Sequence, residues 1–122
     1  MFKSFLVVES DPFIRTDLTN LIESLVAGAD LIVAATLTDA ISLLAERDRL
    51  ELVVLSGAYS SADTSALQSE LARLGAAVLR ITDDVAKTVD ASTGVIEHRI
   101  MAPFTNDAVA EFLRSARRSD AD

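Results

Sequence analysis

Polar side chains stand directly after several short aliphatic runs in this sequence. They are Glu9, Ser10 and Asp11 after the first run, Thr36 after the second, Ser56 after the third, and Thr82 and Asp83 after the fourth. Carboxylates can hold a divalent cation, and hydroxyls can donate hydrogen bonds to a ligand or accept them from it. Because ligands gather beyond the carboxyl ends of the strands in open parallel sheets, these positions form the candidate site of such a sheet.

The aliphatic runs alternate with stretches of helical period along the whole chain. Predicted strands cover residues 5–8, 31–34, 52–55, 76–81 and 95–101. The third run has no polar alternation, which is typical of a parallel strand that is buried on both faces. Five strand–helix pairs in succession predict an α/β domain, a parallel sheet with helices on both faces.

Each predicted helix has a start residue or a buried stripe that identifies it. The first begins at Pro12 after the cap residue Asp11, and its buried stripe is Ile14, Leu18, Leu21 and Leu25. The second begins at Thr38 and buries Ile41, Leu44 and Ala45, and the third covers residues 61–74 and stops before Gly75. The last helix follows Pro103 and buries Val109, Phe112 and Leu113. Residues 83–94 give only one or two helical turns, so we expect the fourth helix to be short or irregular.

The composition limits the classes of function. A length of 122 residues predicts one domain, over residues 1–118, with a polar tail at 119–122. The net charge of −8 argues against binding to nucleic acid or to an anionic membrane. The chain has no cysteine and a single histidine, which excludes a thiolate zinc site and a site of several histidines within one chain. The first apolar run is too short to span a membrane, and we expect a cytoplasmic protein.

Four segments together resemble a response-regulator receiver domain, over most of the chain as far as about residue 117. They are Val7-Val8-Glu9-Ser10-Asp11, Leu52-Val53-Val54-Leu55-Ser56, Leu79-Arg80-Ile81-Thr82 and Met101-Ala102-Pro103-Phe104-Thr105. The resemblance implies a flavodoxin-like (βα)5 fold, a three-layer sandwich with the strand order 2-1-3-4-5. It also implies a role in two-component signal transduction.

The chain departs from the receiver pattern at the residues that carry out phosphotransfer. By the resemblance, Ser56 stands where the phospho-accepting aspartate would be, and Ala102 stands where the family has a lysine. Ser10 replaces one member of the acidic pair, Asp83 stands beside Thr82 where a small residue is usual, and Glu9 and Asp11 are the remaining candidates for metal ligands. Phosphoryl transfer needs a nucleophile and groups that neutralise charge. We therefore expect no phosphotransfer, no enzymatic activity, no cofactor and no Mg²⁺.

Most of these residues also have a purely structural interpretation. Asp11 precedes Pro12 and is a candidate N-cap, while Asp83 fits the solvated start of a helix. The hydroxyls of Ser56 and Thr82 could satisfy groups of the local backbone. Two alternative functions stay open as well: a receiver that is still phosphorylated at a non-standard residue such as Ser56, and a small-molecule or nucleotide-binding module. Against the second, no glycine-rich phosphate loop follows the first strand.

The fifth predicted strand carries Glu97, His98 and Arg99, which we interpret as a partner face. The resemblance places Arg99 where receivers carry an aromatic switch residue, three positions before the lysine, and places the fourth strand with Arg80 beside it. It also implies that protein partners, such as a histidine kinase or another regulator, or a second copy in a homodimer, dock on helix four, strand five and the last helix. The simpler interpretation is that both arginines are surface or snorkelling residues and that His98 has a structural or surface role.

Overall fold

The fold is built on a five-stranded parallel sheet. The computed structural model describes residues 3–57, 59, 61–82, 97–101 and 106–120. The strands are β1 (Ser4–Val8), β2 (Asp30–Ala34), β3 (Leu52–Ser56), β4 (Ala77–Thr82) and β5 (Glu97–Met101). They lie in the order β2-β1-β3-β4-β5, and every neighbouring pair is parallel. The predicted fold class and strand order are therefore confirmed.

The two central strands explain why the sequence shows apolar runs without alternation. Every residue of β1 and of β3 is buried, from the first residue of the strand to the last. A strand in the middle of a parallel sheet is covered by helices on both faces, so both sets of alternate side chains must be apolar. The third run was predicted on this basis, and its burial confirms the prediction.

Four helices are described around the sheet. They are α1 (Pro12–Leu25), α2 (Leu37–Ala45), α3 (Ser61–Leu74) and α4 (Asn106–Asp120). The predicted short fourth helix, in residues 83–94, lies outside the described residues, so α4 is the last helix of the chain. Its backbone continues through Ser119 and Asp120, two residues into the predicted tail. No helix in the described part of the chain is long and apolar enough to span a membrane.

A separate apolar core covers each face of the sheet. On one face, alternate strand residues such as Leu6 and Val53 pack with Leu44 of α2 and Leu71 of α3. On the other face, the intervening strand residues pack with α1 and α4. This core includes the strand residues Phe5, Val7, Leu52 and Val54 and the helix residues Leu18, Ile22, Val109 and Leu113. The side-chain period of two in the strands thus distributes one apolar run between two cores.

Two helix predictions need correction. Ile14 was predicted on the buried face of α1 but is 38% exposed, and Ile22 is buried instead. The first turn of α1 begins at the carboxyl edge of the sheet, where less of the sheet lies beneath it. The start of α2 was predicted at Thr38, but Thr36 is the N-cap, because its extended backbone lets Oγ1 accept a hydrogen bond from Asp39 N at 3.1 Å. Ala45, predicted on the buried face of α2, is exposed.

Candidate functional site

The carboxyl edge of the sheet brings together most of the predicted site positions. Glu9 and Ser10 follow β1, Thr36 lies after β2, and Ser56 and Thr82 are the last residues of β3 and β4. Glu9, Ser56 and Thr82 are buried, whereas Ser10 is exposed. This grouping follows from the parallel register, which ends neighbouring strands at the same level. Asp83 and Ala102 lie outside the described residues.

Glu9 is held in place through both its side chain and its backbone. Its Oε1 accepts a hydrogen bond from Asp11 N at 3.0 Å, and its own N–H donates to the carbonyl oxygen of Ala34 at 3.1 Å. Arg15 Nη1 donates to the carbonyl oxygen of Glu9 at 2.9 Å. Burying a carboxylate costs free energy unless it accepts hydrogen bonds. The bond from Asp11 N therefore fixes the position of the one buried acidic residue described at this edge.

Asp11 is the N-cap of α1. Its Oδ1 accepts hydrogen bonds from Phe13 N at 2.8 Å and from Ile14 N at 3.4 Å. These are two of the backbone donors that the first turn of a helix leaves without intrahelical partners. One oxygen of the second metal-ligand candidate is thus already occupied by the helix that it starts.

Tyr59 belongs to this site, although its sequence context did not identify it. Its hydroxyl donates a hydrogen bond to the carbonyl oxygen of Ser56 at 3.2 Å. The turn between them needs Gly57, whose φ of +123° lies in a region that residues with a Cβ rarely adopt. Gly57 N also donates to the carbonyl oxygen of Ile81 at 3.0 Å, which ties the turn to β4.

The environment of Tyr59 links it to Glu9. Burial raises the pKa of the Tyr59 hydroxyl above its usual value of 10.0, and the negative charge of Glu9 raises that pKa further. The only sequence feature that points to this residue is that it is the single tyrosine of the chain and stands three residues beyond the end of β3. Aliphatic periodicity says nothing about such a position.

Comparison with known proteins gives matches of structure only. No protein-family model and no curated protein matches the sequence. A response regulator from Colwellia psychrerythraea shares 14% identity over 98% of this chain and 99% of its own, with a TM-score of 0.72. A receiver domain protein (CheY-like) from Methanospirillum hungatei JF-1 shares 17% over 95% and 94%, with a TM-score of 0.73. The signal receiver domain of an HD domain-containing protein from Pseudomonas fluorescens Pf-5 shares 21% over 98% and 97%, with a TM-score of 0.73.

This chain has the receiver fold. At these identities the likeness is one of architecture, and the chemistry must be argued from the side chains themselves.

Among the described residues, the donor atoms at the carboxyl edge of this receiver fold do not match the needs of Mg²⁺. They are the carboxylates of Glu9 and Asp11, each with one oxygen already bonded to backbone N–H, and the neutral hydroxyls of Ser10, Thr36, Ser56, Tyr59 and Thr82. No group of three His, Cys, Asp or Glu residues suited to a metal occurs in the described part of the chain. Mg²⁺ demands octahedral oxygen ligands and is usually held through carboxylates together with substrate phosphates.

The predicted partner residues lie in the last strand of the receiver sheet. Glu97, His98 and Arg99 are consecutive in β5, which pairs only with β4 among the described strands. The register places Arg99 beside Arg80, as predicted from the sequence. Arg80 is buried at 8% exposure in the middle of β4, so the surface half of the simpler interpretation does not hold for it. An arginine therefore lies inside β4 next to the partner segment.

Proposed function

We propose that this chain is an atypical receiver that acts in cytoplasmic signal transduction through protein–protein contact, independently of phosphorylation, and has no catalytic activity of its own. The observation that carries the proposal is Ser56. It is the buried last residue of β3 in a receiver fold, the position at which receivers carry the nucleophilic carboxylate. Its neutral hydroxyl brings neither a nucleophilic charge nor a ligand charge for a cation.

The surroundings of Ser56 support the absence of phosphotransfer. A serine nucleophile needs a neighbouring base. Oε1 of Glu9 accepts from Asp11 N, and the Tyr59 hydroxyl donates to the carbonyl oxygen of Ser56 rather than to its side chain. The only histidine, His98, lies in β5, on the far side of β4 from β3. Ala102 offers no ammonium group to neutralise a phosphoryl group.

Incubation with acetyl phosphate and Mg²⁺, followed by intact-mass measurement, tests this part of the proposal. We expect the native chain to gain no phosphoryl group. The positive control is the triple variant Ser10→Asp, Ser56→Asp and Ala102→Lys, which returns the missing carboxylates and the ammonium group, and we expect it to be phosphorylated. A phosphoryl adduct on the native chain would refute the proposal and favour a receiver that is phosphorylated at a non-standard residue. If the Ser56→Ala variant then showed no adduct, Ser56 would be the phosphorylated residue.

We place the partner surface on β5. Arg99 of this strand is the register partner of the buried Arg80, so two arginines lie side by side in a protein of net charge −8, and Glu97 is the one acidic residue of β5. Charge complementarity steers association and selects partners. The proposed partner is therefore a protein of the same pathway, a histidine kinase or another regulator, with an acidic contact surface. A second copy that docks through β5 and α4 is the alternative.

Affinity purification with the tagged chain, followed by mass spectrometry, tests the surface. We expect Arg99→Glu to lose partners that the native chain retains. The matched control is Arg49→Glu, which makes the same charge change at an exposed position just before β3, at the amino ends of the strands and two strands away from β5. Equal retention of every partner by both variants would refute the placement. Sedimentation of the native chain identifies the homodimer if it forms.

A further inference from the structure

A second feature of the carboxyl edge is a pocket that the receiver-like role does not use. It has a volume of about 400 Å³ and lies among the segments that follow β1, β2 and β3. Pockets for small ligands measure roughly 300 to 1,000 Å³. In the order β2-β1-β3-β4-β5 the connections from β1 and from β3 lead to opposite faces of the sheet, with α1 on one face and α3 on the other, which makes the crevice between β1 and β3 the topological switch point.

The wall of this pocket is rich in hydroxyl groups. Ser10, Thr36, Thr38, Ser56 and Tyr59 contribute them, and Leu37 and Ile41 form an apolar side. Each hydroxyl can both donate and accept a hydrogen bond. Thr36 Oγ1 accepts from Asp39 N, so its own proton remains to be donated. None of the described lining residues carries a charge.

Ser56 gives the pocket a polar group that is nearly buried. The residue is 6% exposed and lines the pocket. Within the described part of the chain no hydrogen bond reaches Ser56 Oγ, whereas the carbonyl oxygen of the same residue accepts from Tyr59. Ser56 Oγ is not among the described side-chain atoms that are fully buried without a partner, which is consistent with a hydroxyl that opens onto the pocket. A ligand hydroxyl in the pocket can therefore pair with Ser56 Oγ.

The electrostatics of the pocket select against charged ligands. The buried carboxylate of Glu9 acts on Tyr59 in the pocket wall, and the described lining residues include no lysine or arginine to balance an anion. The same described residues offer no carboxylate to a cation. Charges that are removed from water need a partner, so an uncharged ligand is the one that this wall can accept.

We propose that the pocket binds an uncharged ring-sized molecule that presents hydroxyls to Ser56 and Thr36 and an apolar side to Leu37 and Ile41. A neutral monosaccharide and a nucleoside without phosphate share this chemistry. The proposal goes beyond the proposed function, because binding requires neither a protein partner nor phosphotransfer. If no such molecule binds in the pocket, the affinity-purification test of the partner surface is unaffected.

The test adds each of four probes to the full ¹⁵N-labelled chain and measures the chemical shifts of its backbone amides by NMR. The probes are glucose, adenosine, glucose 6-phosphate and adenosine monophosphate. We expect saturable shifts at residues 36–41 and 56–59 with at least one neutral probe, at a Kd below about 1 mM, and binding of its phosphorylated counterpart weakened about tenfold or more. Comparison of glucose with adenosine shows whether the ligand is a monosaccharide or a nucleoside.

Two variants narrow the pocket from different strand ends. Ser10→Phe and Thr38→Phe place a ring at exposed lining positions, so folding is not at stake. We expect each to weaken binding about tenfold or more, whereas Ser69→Phe on the exposed side of α3 leaves it unchanged. The proposal is overturned if neither neutral probe binds saturably up to about 10 mM, if the phosphorylated counterpart binds equally well, or if both pocket variants keep the native affinity.

Discussion

Glu9 and Tyr59 form the electrostatic pair at the centre of the carboxyl edge. Glu9 is buried and held by Asp11 N, and its charge acts on a tyrosine whose hydroxyl already points to the carbonyl oxygen of Ser56. The described side chains at the ends of β3 and β4, Ser56 and Thr82, are neutral hydroxyls, and the negative charge of Glu9 acts on Tyr59.

We expect Glu9→Gln to lower the pKa of Tyr59 part of the way towards 10.0. The substitution removes the carboxylate charge that disfavours the phenolate, but burial, the larger cause, remains. Absorbance of the phenolate during a pH titration measures this pKa cleanly, because the chain has one tyrosine and no tryptophan. An unchanged or higher pKa would show that the two groups do not interact.

The raised pKa of Tyr59 makes the unfolding free energy depend on pH in the alkaline range. The folded state holds the Tyr59 proton more tightly than the unfolded state, whose pKa is close to 10.0. The contribution of Tyr59 is therefore fully present below that pH and is lost as the pH rises through the higher folded pKa. We expect the unfolding free energy of the native chain to fall in this window more steeply than that of Tyr59→Phe, which controls for the other groups that titrate there.

Asp11 gives a second prediction at the residue scale. We expect Asp11→Ala to lower the unfolding free energy by about 1 kcal/mol, because two backbone donors of α1 lose their acceptor. Asp11→Asn is the matched control, since its amide oxygen can cap the helix equally well, and it should stay close to the native value. Denaturant unfolding measures both. A loss in the Asn variant as large as in the Ala variant would mean that the charge, rather than the cap, matters.

At the scale of elements, the start of α1 was predicted correctly, whereas the start of α2 was wrong and the buried faces of α1 and α2 were correct only in part. The pair Asp11-Pro12 marks the start of α1 chemically, and the helix begins there. The spacing of apolar residues predicted a buried face for α1 but wrongly included Ile14 in it, because periodicity does not reveal how far the sheet extends beneath a helix. For α2, two threonines were available, and only the backbone geometry selects Thr36 as the cap.

The candidate site was predictable where it lies on strand ends. Glu9, Ser10, Ser56 and Thr82 follow apolar runs whose parallel pairing brings them to one edge. Tyr59 and the pocket beside it were not, because they depend on a turn at Gly57 and on side chains from three separate connections. Long-range juxtaposition of loop residues leaves no periodic trace in a single sequence.

Helix α2 allows a matched test of the core on its face of the sheet. Leu44 is 0% exposed and packs in the core, whereas its neighbour Leu43 is 37% exposed. We expect Leu44→Ala to cost about 2 to 5 kcal/mol of unfolding free energy, and Leu43→Ala to cost well under half as much. Both changes remove the same atoms from the same helix, so helix propensity cancels. Equal losses in urea unfolding would contradict the packing of α2 described above.

At the scale of the whole molecule, the acidic residues whose burial is described lie almost entirely at the surface. The chain carries a net charge of −8, yet the buried residues include only one acidic side chain, Glu9, among those described. Two exposed or half-exposed ion pairs, Arg47–Asp30 and Arg73–Glu70, offset little of this excess. Like charges that are held close together repel and destabilise the compact state.

We therefore expect the Tm to rise when the ionic strength increases from about 10 mM to about 150 mM, because salt screens the repulsion between surface carboxylates. Scanning calorimetry in NaCl and in choline chloride separates screening from specific ion binding, and equal rises are expected at equal ionic strength. A fall in Tm with salt would mean that attractive ion pairs outweigh the repulsion.

Gly57 has a consequence for how this molecule tolerates genetic change. Glycine is the only coded residue without a Cβ, so every missense change at this codon places a side chain on a backbone with φ of +123°. The space around the position is not the obstacle, since the atoms nearest to a Cβ would be those of the Tyr59 side chain, in ordinary van der Waals contact at 3.7 to 3.8 Å. In a saturation library, position 57 would therefore be the most restricted position of the turn, because the backbone of the site limits its variation more than the hydroxyls around it do.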